Sequence, residues 1–255
     1  MRVLVCVKRV PAPGAKINIT ADGQAVDTAY LAFTTSPHEE CAVEAAVQLV
    51  EQHGGESTVL TLGTAEADEQ LRYAASIGVN KAVLLPITDN DWDPQRTAAA
   101  ITEAIRGLEA AGGAFDLVLF GNESADSGNF QTGVRVAHAL GRPIVNGIKG
   151  IAVQGDVIRA TREADAGVEV YHVPTPAVLG VKEGINLPRY PTLKGRLASK
   201  KVEVAQVAPQ GEPGGQQMVT LLQAAEQVSQ TVILGHGPEA APAVVDLLEE
   251  LGLLK

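Results

Sequence analysis

The sequence predicts an α/β fold: a doubly wound, mostly parallel sheet with an antiparallel excursion and a C-terminal helical arm. Two observations predict the parallel part. Short Val- and Leu-rich runs recur at Val3 to Val7, Ser57 to Leu62, Ala82 to Leu85 and Leu117 to Phe120, the pattern of strands buried on both faces. Each is followed by a helical stretch or a long crossover, which is how parallel strands are joined. A third observation predicts the excursion. From Ile148 the rhythm changes, with strand-like runs at Ile148 to Val153, Val157 to Thr161 and Val168 to Val173 and a Gly155-Asp156 turn between the first pair.

The first helix is the best signalled. Ser36 is placed as N-cap, Pro37 at the first helical position and Glu39 three residues after the cap, followed by an apolar stripe of Ala42, Val43, Ala46, Val47 and Val50. Further helices are expected over Glu66 to Ile77, Pro94 to Ala110 and Asn129 to Leu140. After the excursion the chain is expected to rejoin the sheet at Ala177 to Val181. Residues 1–207 read as one α/β domain. Ala208 to Gly215, rich in Pro, Gly and Gln, reads as a linker, and residues 208–255 as linker plus arm. Within the arm, Ala240 to Leu254 is amphipathic, with Val244, Val245, Leu247, Leu248 and Leu251 on one stripe that needs a cover.

Composition excludes several classes of function. A chain of 255 residues with 45% hydrophobic content can bury a full core. Its formal net charge of -10 opposes nucleic acid and anionic membrane surfaces, and no nucleic-acid partner is expected. The two cysteines, Cys6 and Cys41, have no ligand-spaced companions, so no metal site is expected and a reducing compartment fits. No targeting segment and no stretch of roughly 18 apolar residues appears, so the protein is expected not to be membrane-embedded.

In an open parallel sheet, ligands bind beyond the carboxyl ends of the strands. Three loops there stand out: Lys8 to Lys16 (KRVPAPGAK), Gly63 to Ala65, and Gly121 to Gly133 (GNESADSGNFQTG). The last sets Ser127, Gly128 and Asn129 where a helix is expected to begin, so its amides could hold a phosphate; a capped helix after a polar loop explains the same residues. No Walker motif or G-x-G-x-x-G is present, which weighs against a nucleotide hydrolase or a nicotinamide enzyme. Asp89 and Asp91 read as turn residues, and His53 as a helix-end cation before Gly54 and Gly55. His236 has no chemical companion in the sequence. No catalytic constellation emerges, so no enzyme is expected.

Val181 to Lys201 (VKEGINLPRYPTLKGRLASKK) is the most unusual segment. Six basic residues against Glu183 alone leave residues 182–201 five charges positive and the rest of the chain fifteen negative. A solvated basic loop is one reading; prolines with Tyr190 and Leu193 among the charges suit a docking protrusion.

This segment resembles the signature of the electron transfer flavoprotein beta subunit (the ETF beta/FixA family), an N-x-P-R-Y-x-x-L core leading into a basic helix. VLVCVKRVPAPGAK resembles that family's first strand and loop, SPHEECAVEAAVQL its first helix, and GNESADSGNFQTG its nucleotide loop, in order over residues 1–204. The resemblance implies a Rossmann-like, adenine nucleotide alpha hydrolase-like fold, a heterodimer with an alpha subunit, FAD held mainly by that subunit, and AMP in this one. It implies an electron carrier serving acyl-CoA dehydrogenases and a membrane ETF-quinone oxidoreductase, in bacterial cytoplasm or a mitochondrial matrix.

Carried over by position, the AMP site comprises Cys6, Ser36, Pro37, His38, Glu39, Leu62, Asp126, Ser127, Asn129, Gln131 and Thr132. Docking falls to Tyr190, Leu193 and Arg196 within the recognition loop 182–201, and the arm is implied to pack on the alpha subunit. Pro13 and His38 stand where relatives often present an aromatic toward the flavin, and Phe130 replaces a polar residue. Bifurcating relatives bind a second FAD through a DGDTAQVGP-like loop; ADSGNFQTG departs from it, which favours AMP. A universal-stress-type ATP-binding module shares the layout but lacks the Leu193 segment.

Overall fold

The computed structural model describes residues 1–88, 92–212, 215–224 and 231–254. Asp89 and Asp91 lie outside them. The chain divides into two compact units, Met1–Leu221 and Leu222–Lys255.

The first unit opens with β1 (Arg2–Cys6), β2 (Val10–Pro11), β3 (Phe33–Thr34), α1 (Pro37–His53), β4 (Glu56–Gly63), α2 (Asp68–Ser76), β5 (Lys81–Pro86), α3 (Pro94–Gly112) and β6 (Leu117–Gly121). It continues through α4 (Thr132–Leu140), β7 (Ile144–Gln154), β8 (Val157–Ala164), β9 (Gly167–Pro174), β10 (Ala177–Val181), α5 (Leu193–Ser199) and β11 (Val204–Gln206). One nine-stranded sheet has the order β11-β5-β4-β1-β6-β10-β7-β8-β9. All pairs from β11 to β7 are parallel, and β7, β8 and β9 form the antiparallel excursion.

The central strands are mostly apolar because helices cover both faces, although β4 also buries Ser57, Thr58 and Thr61. In β1, Val3 and Val5 join Ala42, Val43, Ala46 and Val47 of α1 in one core cluster. Leu4 and Cys6 point the other way and join Ala98, Ile101 and Ile105 of α3 and Val136 and Ala137 of α4. The chain passes from β1 outward to β4 and β5, then returns to β1's other side as β6. Their following loops diverge, and the crevice between the carboxyl ends of β1 and β6 is the topological switch point.

Two expected helices are corrected. α4 begins at Thr132, not Asn129, because Gly128 (φ 53) and Phe130 (φ 57) both adopt the left-handed conformation and break the helical run. The C-terminal helix α6 spans Ala241–Glu250 rather than Ala240 to Leu254, ending at Gly252 with φ 68. The short edge strand β11 was not expected at all. The first unit continues to Leu221: Gln216 N–H donates to the Asp93 carboxylate at 3.0 Å, which ties this stretch to the start of α3. In the second unit, Val244, Val245 and Leu247 of α6 and Leu251 just after it are exposed.

Candidate functional site

The floor of the crevice is the end of β1 and the first turn of α1. Cys6 is buried there, and burial, with the Glu39 charge adding to it, pushes its thiol far above the usual range. Ser36 caps α1 with extended backbone (φ -71, ψ 154), and its N–H donates to the Glu39 carboxylate at 3.0 Å. The Ser36 hydroxyl, part of a capping box with Glu39, also reaches the Glu123 carbonyl oxygen at 3.3 Å. Pro37 needs no partner for its missing N–H at this first helical position. Burial raises the Glu39 carboxyl to about 7, against the Ser36 N–H and the nearby Lys8.

The β6 loop closes over this turn. Gly121 is required by close approach: a Cβ there would stand 2.6 Å from Glu39 Cγ and 3.0 Å from its backbone nitrogen. Glu123 then reaches His38, with carboxylate to Nε2 at 3.2 Å, while His38 Nδ1 accepts the Glu183 N–H at 2.8 Å. That acceptor role leaves the hydrogen of the neutral ring on Nε2, pointing at Glu123. From the β1 side, Lys8 Nζ pairs with Asp126 at 2.6 Å and donates to Ser127 Oγ at 3.3 Å. Burial pushes the Asp126 carboxyl up, but Lys8 and the hydrogen bonds it receives prevail and hold it below the usual carboxylate range.

The structure therefore brings together Cys6, Ser36, Pro37, His38, Glu39, Asp126 and Ser127. Leu62 lies on the adjacent strand β4 and packs on the Cys6 side of the sheet. Asn129 is exposed on the loop, and Gln131 caps α4 with its side-chain oxygen taken by Arg135 at 3.0 Å. Ser127 N–H is satisfied by its neighbour Asp126 at 2.7 Å, and the unpaired amides of the first turn of α4 begin at Thr132. Gly133 lies there with its backbone against the Phe120 ring. Pro13 stands exposed on its own loop.

Along α1 from the crevice lies the segment 182–201. Tyr190 is 89% and Leu193 76% exposed, with Arg196 on the same short helix α5 also exposed. Leu187, at 90% exposure, joins them and was not singled out from sequence. α5 rests on α2 through Gly195, where a Cβ would overlap the Ser76 carbonyl oxygen. Arg72 of α2 donates to the carbonyls of Ser199 at 3.0 Å, Lys200 at 3.3 Å and Val202 at 3.3 Å, closing the end of the segment.

A family model described as the electron transfer flavoprotein domain matches residues 25–211, which span α1, the loop after β6 and the 182–201 segment. The chain belongs to the electron transfer flavoprotein family. Curated relatives of this family agree. A protein of Syntrophomonas wolfei named electron transfer flavoprotein subunit beta is 37% identical over 209 residues, 82% of this chain and 80% of that one. Proteins of the same name from Bacillus subtilis (34% identity; 65% of this chain, 63% of that one) and Thermoanaerobacterium thermosaccharolyticum (30% identity; 76% and 73%) are also similar.

Lys8, Glu123 and Arg189 lie in segments that the sequence singled out but were given no individual role there, and Glu44 was not singled out. Glu44 had a signal. It sits beside the apolar stripe of α1, where a carboxylate needs a partner. No group of three or more His, Cys, Asp and Glu among the described residues could hold a metal, and no helix among them is long and apolar enough to cross a membrane.

Proposed function

We propose that this chain is the beta subunit of a heterodimeric electron transfer flavoprotein, which holds AMP in the β1/β6 crevice and docks redox partners through residues 182–201. Membership of the family supports the first part. The observation that carries the docking part is the exposed apolar group Leu187, Tyr190, Leu193 and Leu197 on a basic segment whose flanks are fastened to α1 and α2. Large apolar side chains held in water mark an interaction surface.

The crevice residues suit an adenine nucleotide. Cys6 and Leu62 supply apolar surface for a base. Asp126, kept ionised by Lys8, is an acceptor for ribose hydroxyls, and Ser127, Thr132 and the open amides entering α4 suit a phosphate. Asn129 and Gln131 border the same loop. The departure of ADSGNFQTG from the bifurcating pattern supports AMP over a second FAD.

FAD, held mainly by the alpha subunit, supplies the redox chemistry when bound. This chain contributes a rigid base, with His38 and Pro13 on the side assigned to the flavin, and no acid–base step of its own. Acyl-CoA dehydrogenases are the donors and a membrane quinone oxidoreductase the acceptor in this reading, in cytoplasm or mitochondrial matrix. The exposed stripe of α6 packs on the alpha subunit. Leu193→Ala is expected to weaken reduction of the heterodimer by a dehydrogenase by roughly ten-fold or more, as loss of about 1.5 to 3 kcal/mol of apolar burial dictates. FAD content stays unchanged. A parallel loss of FAD would mean that Leu193 holds the fold and not the partner.

A further inference from the structure

Within the docking segment Ile185 packs on the core, while the polar Asn186 and Arg189 side chains turn toward α1 and the apolar Leu187, Tyr190 and Leu193 stand exposed. Three contacts tie it to α1 at one constant offset of 145 residues: Glu183 N–H to His38 Nδ1 at 2.8 Å, Asn186 Nδ2 to the Cys41 carbonyl at 3.0 Å, and Arg189 Nε to Glu44 at 2.9 Å. The segment therefore advances alongside the helix, three residues for three. Pro188 packs between the rungs and shares a small pocket with Val43.

The last rung is the strongest. Glu44 is 1% exposed and receives Arg189 Nε at 2.9 Å, Arg189 Nη2 at 2.9 Å, the Arg189 backbone N–H at 3.2 Å and Gln48 Nε2 at 2.7 Å. The outer edge of the same guanidinium pairs with Glu51 at 2.7 and 2.8 Å. One planar fork is thus held by two carboxylates two turns apart on the same face of α1, an arrangement lysine cannot reproduce. With Arg189 turned in, its neighbours Leu187 and Tyr190 are left at 90% and 89% exposure. Collapse of these side chains onto α1 would require breaking the clamp.

We propose that Arg189, clamped by Glu44 and Glu51, is a positioning residue for partner recognition: it presents Leu187, Tyr190 and Leu193 as one pre-formed apolar surface. The partner it fits is a protein face with an apolar pocket rimmed by acidic groups, which the surrounding Lys194, Arg196, Lys200 and Lys201 complement. This rests on the docking reading above. Because the surface is ordered beforehand, association costs little further ordering.

The test uses the FAD-loaded heterodimer with a short-chain acyl-CoA dehydrogenase reduced by butyryl-CoA, varying heterodimer concentration. Removing Arg189 alone strands a buried carboxylate, so Glu44→Met and Arg189→Met are made together, leaving no buried charge. KM for the dehydrogenase is expected to rise about ten-fold with kcat and FAD per heterodimer unchanged, and amide exchange over residues 186–193 to quicken. Arg189→Lys, which keeps the charge without the fork, is expected to fall between the double variant and the parent. An unchanged KM in the double variant overturns the clamp, as does a loss of FAD in proportion to activity. If Leu193→Ala also leaves KM unchanged, the docking reading itself fails; if it raises KM while the double variant does not, only the clamp fails.

Discussion

Gly195→Ala is expected to displace helix α5 from α2 and to disable docking without touching an exposed residue. The added Cβ would overlap the Ser76 carbonyl oxygen, and the obstacle is backbone, which cannot swing aside as the tip of a flexible side chain can. Overpacking of this kind costs about 1 to 3 kcal/mol or more. α5 is only seven residues long and has a single fully buried residue, Ser199, so release of the helix is the cheaper response. The Thr192 cap, whose side chain accepts the Gly195 N–H at 3.0 Å, and the Arg72 contacts beyond it move with the helix. Amide exchange over residues 193–202 is expected to quicken markedly while β1, β4 and β6 stay protected. Undiminished protection of α5 would contradict the packing described.

Glu39→Gln is expected to change the pH dependence of folding more than any other single substitution at the crevice. Burial raises this carboxyl to about 7 in the folded chain, against an ordinary value of 4.5. A group whose folded value is raised adds stability that is fully present below the unfolded value and is lost as pH climbs through the folded one. For Glu39 that window runs from about 4.5 to about 7 and involves about 3 kcal/mol. Glutamine keeps an acceptor for the Ser36 N–H but cannot ionise, so the variant gains on the parent across the window. Urea unfolding of both proteins at pH 5, 6 and 7 measures the difference. Groups such as Asp126, whose value is lowered, titrate in both proteins and cancel. A constant difference across the three pH values would mean that Glu39 is not desolvated as the crevice geometry requires.

The parts of this fold legible in the sequence are those with local signals. The β1, β4, β5 and β6 runs are mostly apolar on both faces because helices cover both, and α1 carries its Ser36, Pro37 and Glu39 start within four residues. The excursion was legible from the turn at Gly155, which takes φ 67. What escaped depends on partners distant in the chain. Lys8 meets Asp126 across 118 positions and Arg189 meets Glu44 across 145, pairings that no local pattern announces. The start of α4 was misplaced because Ser127 and Asn129 resemble caps, whereas the left-handed Phe130 that delays the helix is a conformation sequence rules do not assign to phenylalanine. β11 is three residues long and is defined by its pairing to β5 rather than by its own pattern.

The proposed docking surface and the crevice meet on one helix. α1 supplies Ser36 to Glu39 to the crevice and His38, Cys41, Glu44 and Glu51 to the docking segment, so both sites share one rigid element. Co-expression of this chain with its alpha subunit, followed by denaturation of the purified complex and identification of the released nucleotides by mass and absorbance, tests the central claim most directly. One FAD and one AMP per heterodimer is the expected result. A colourless chain that forms no heterodimer and releases only ATP would contradict it.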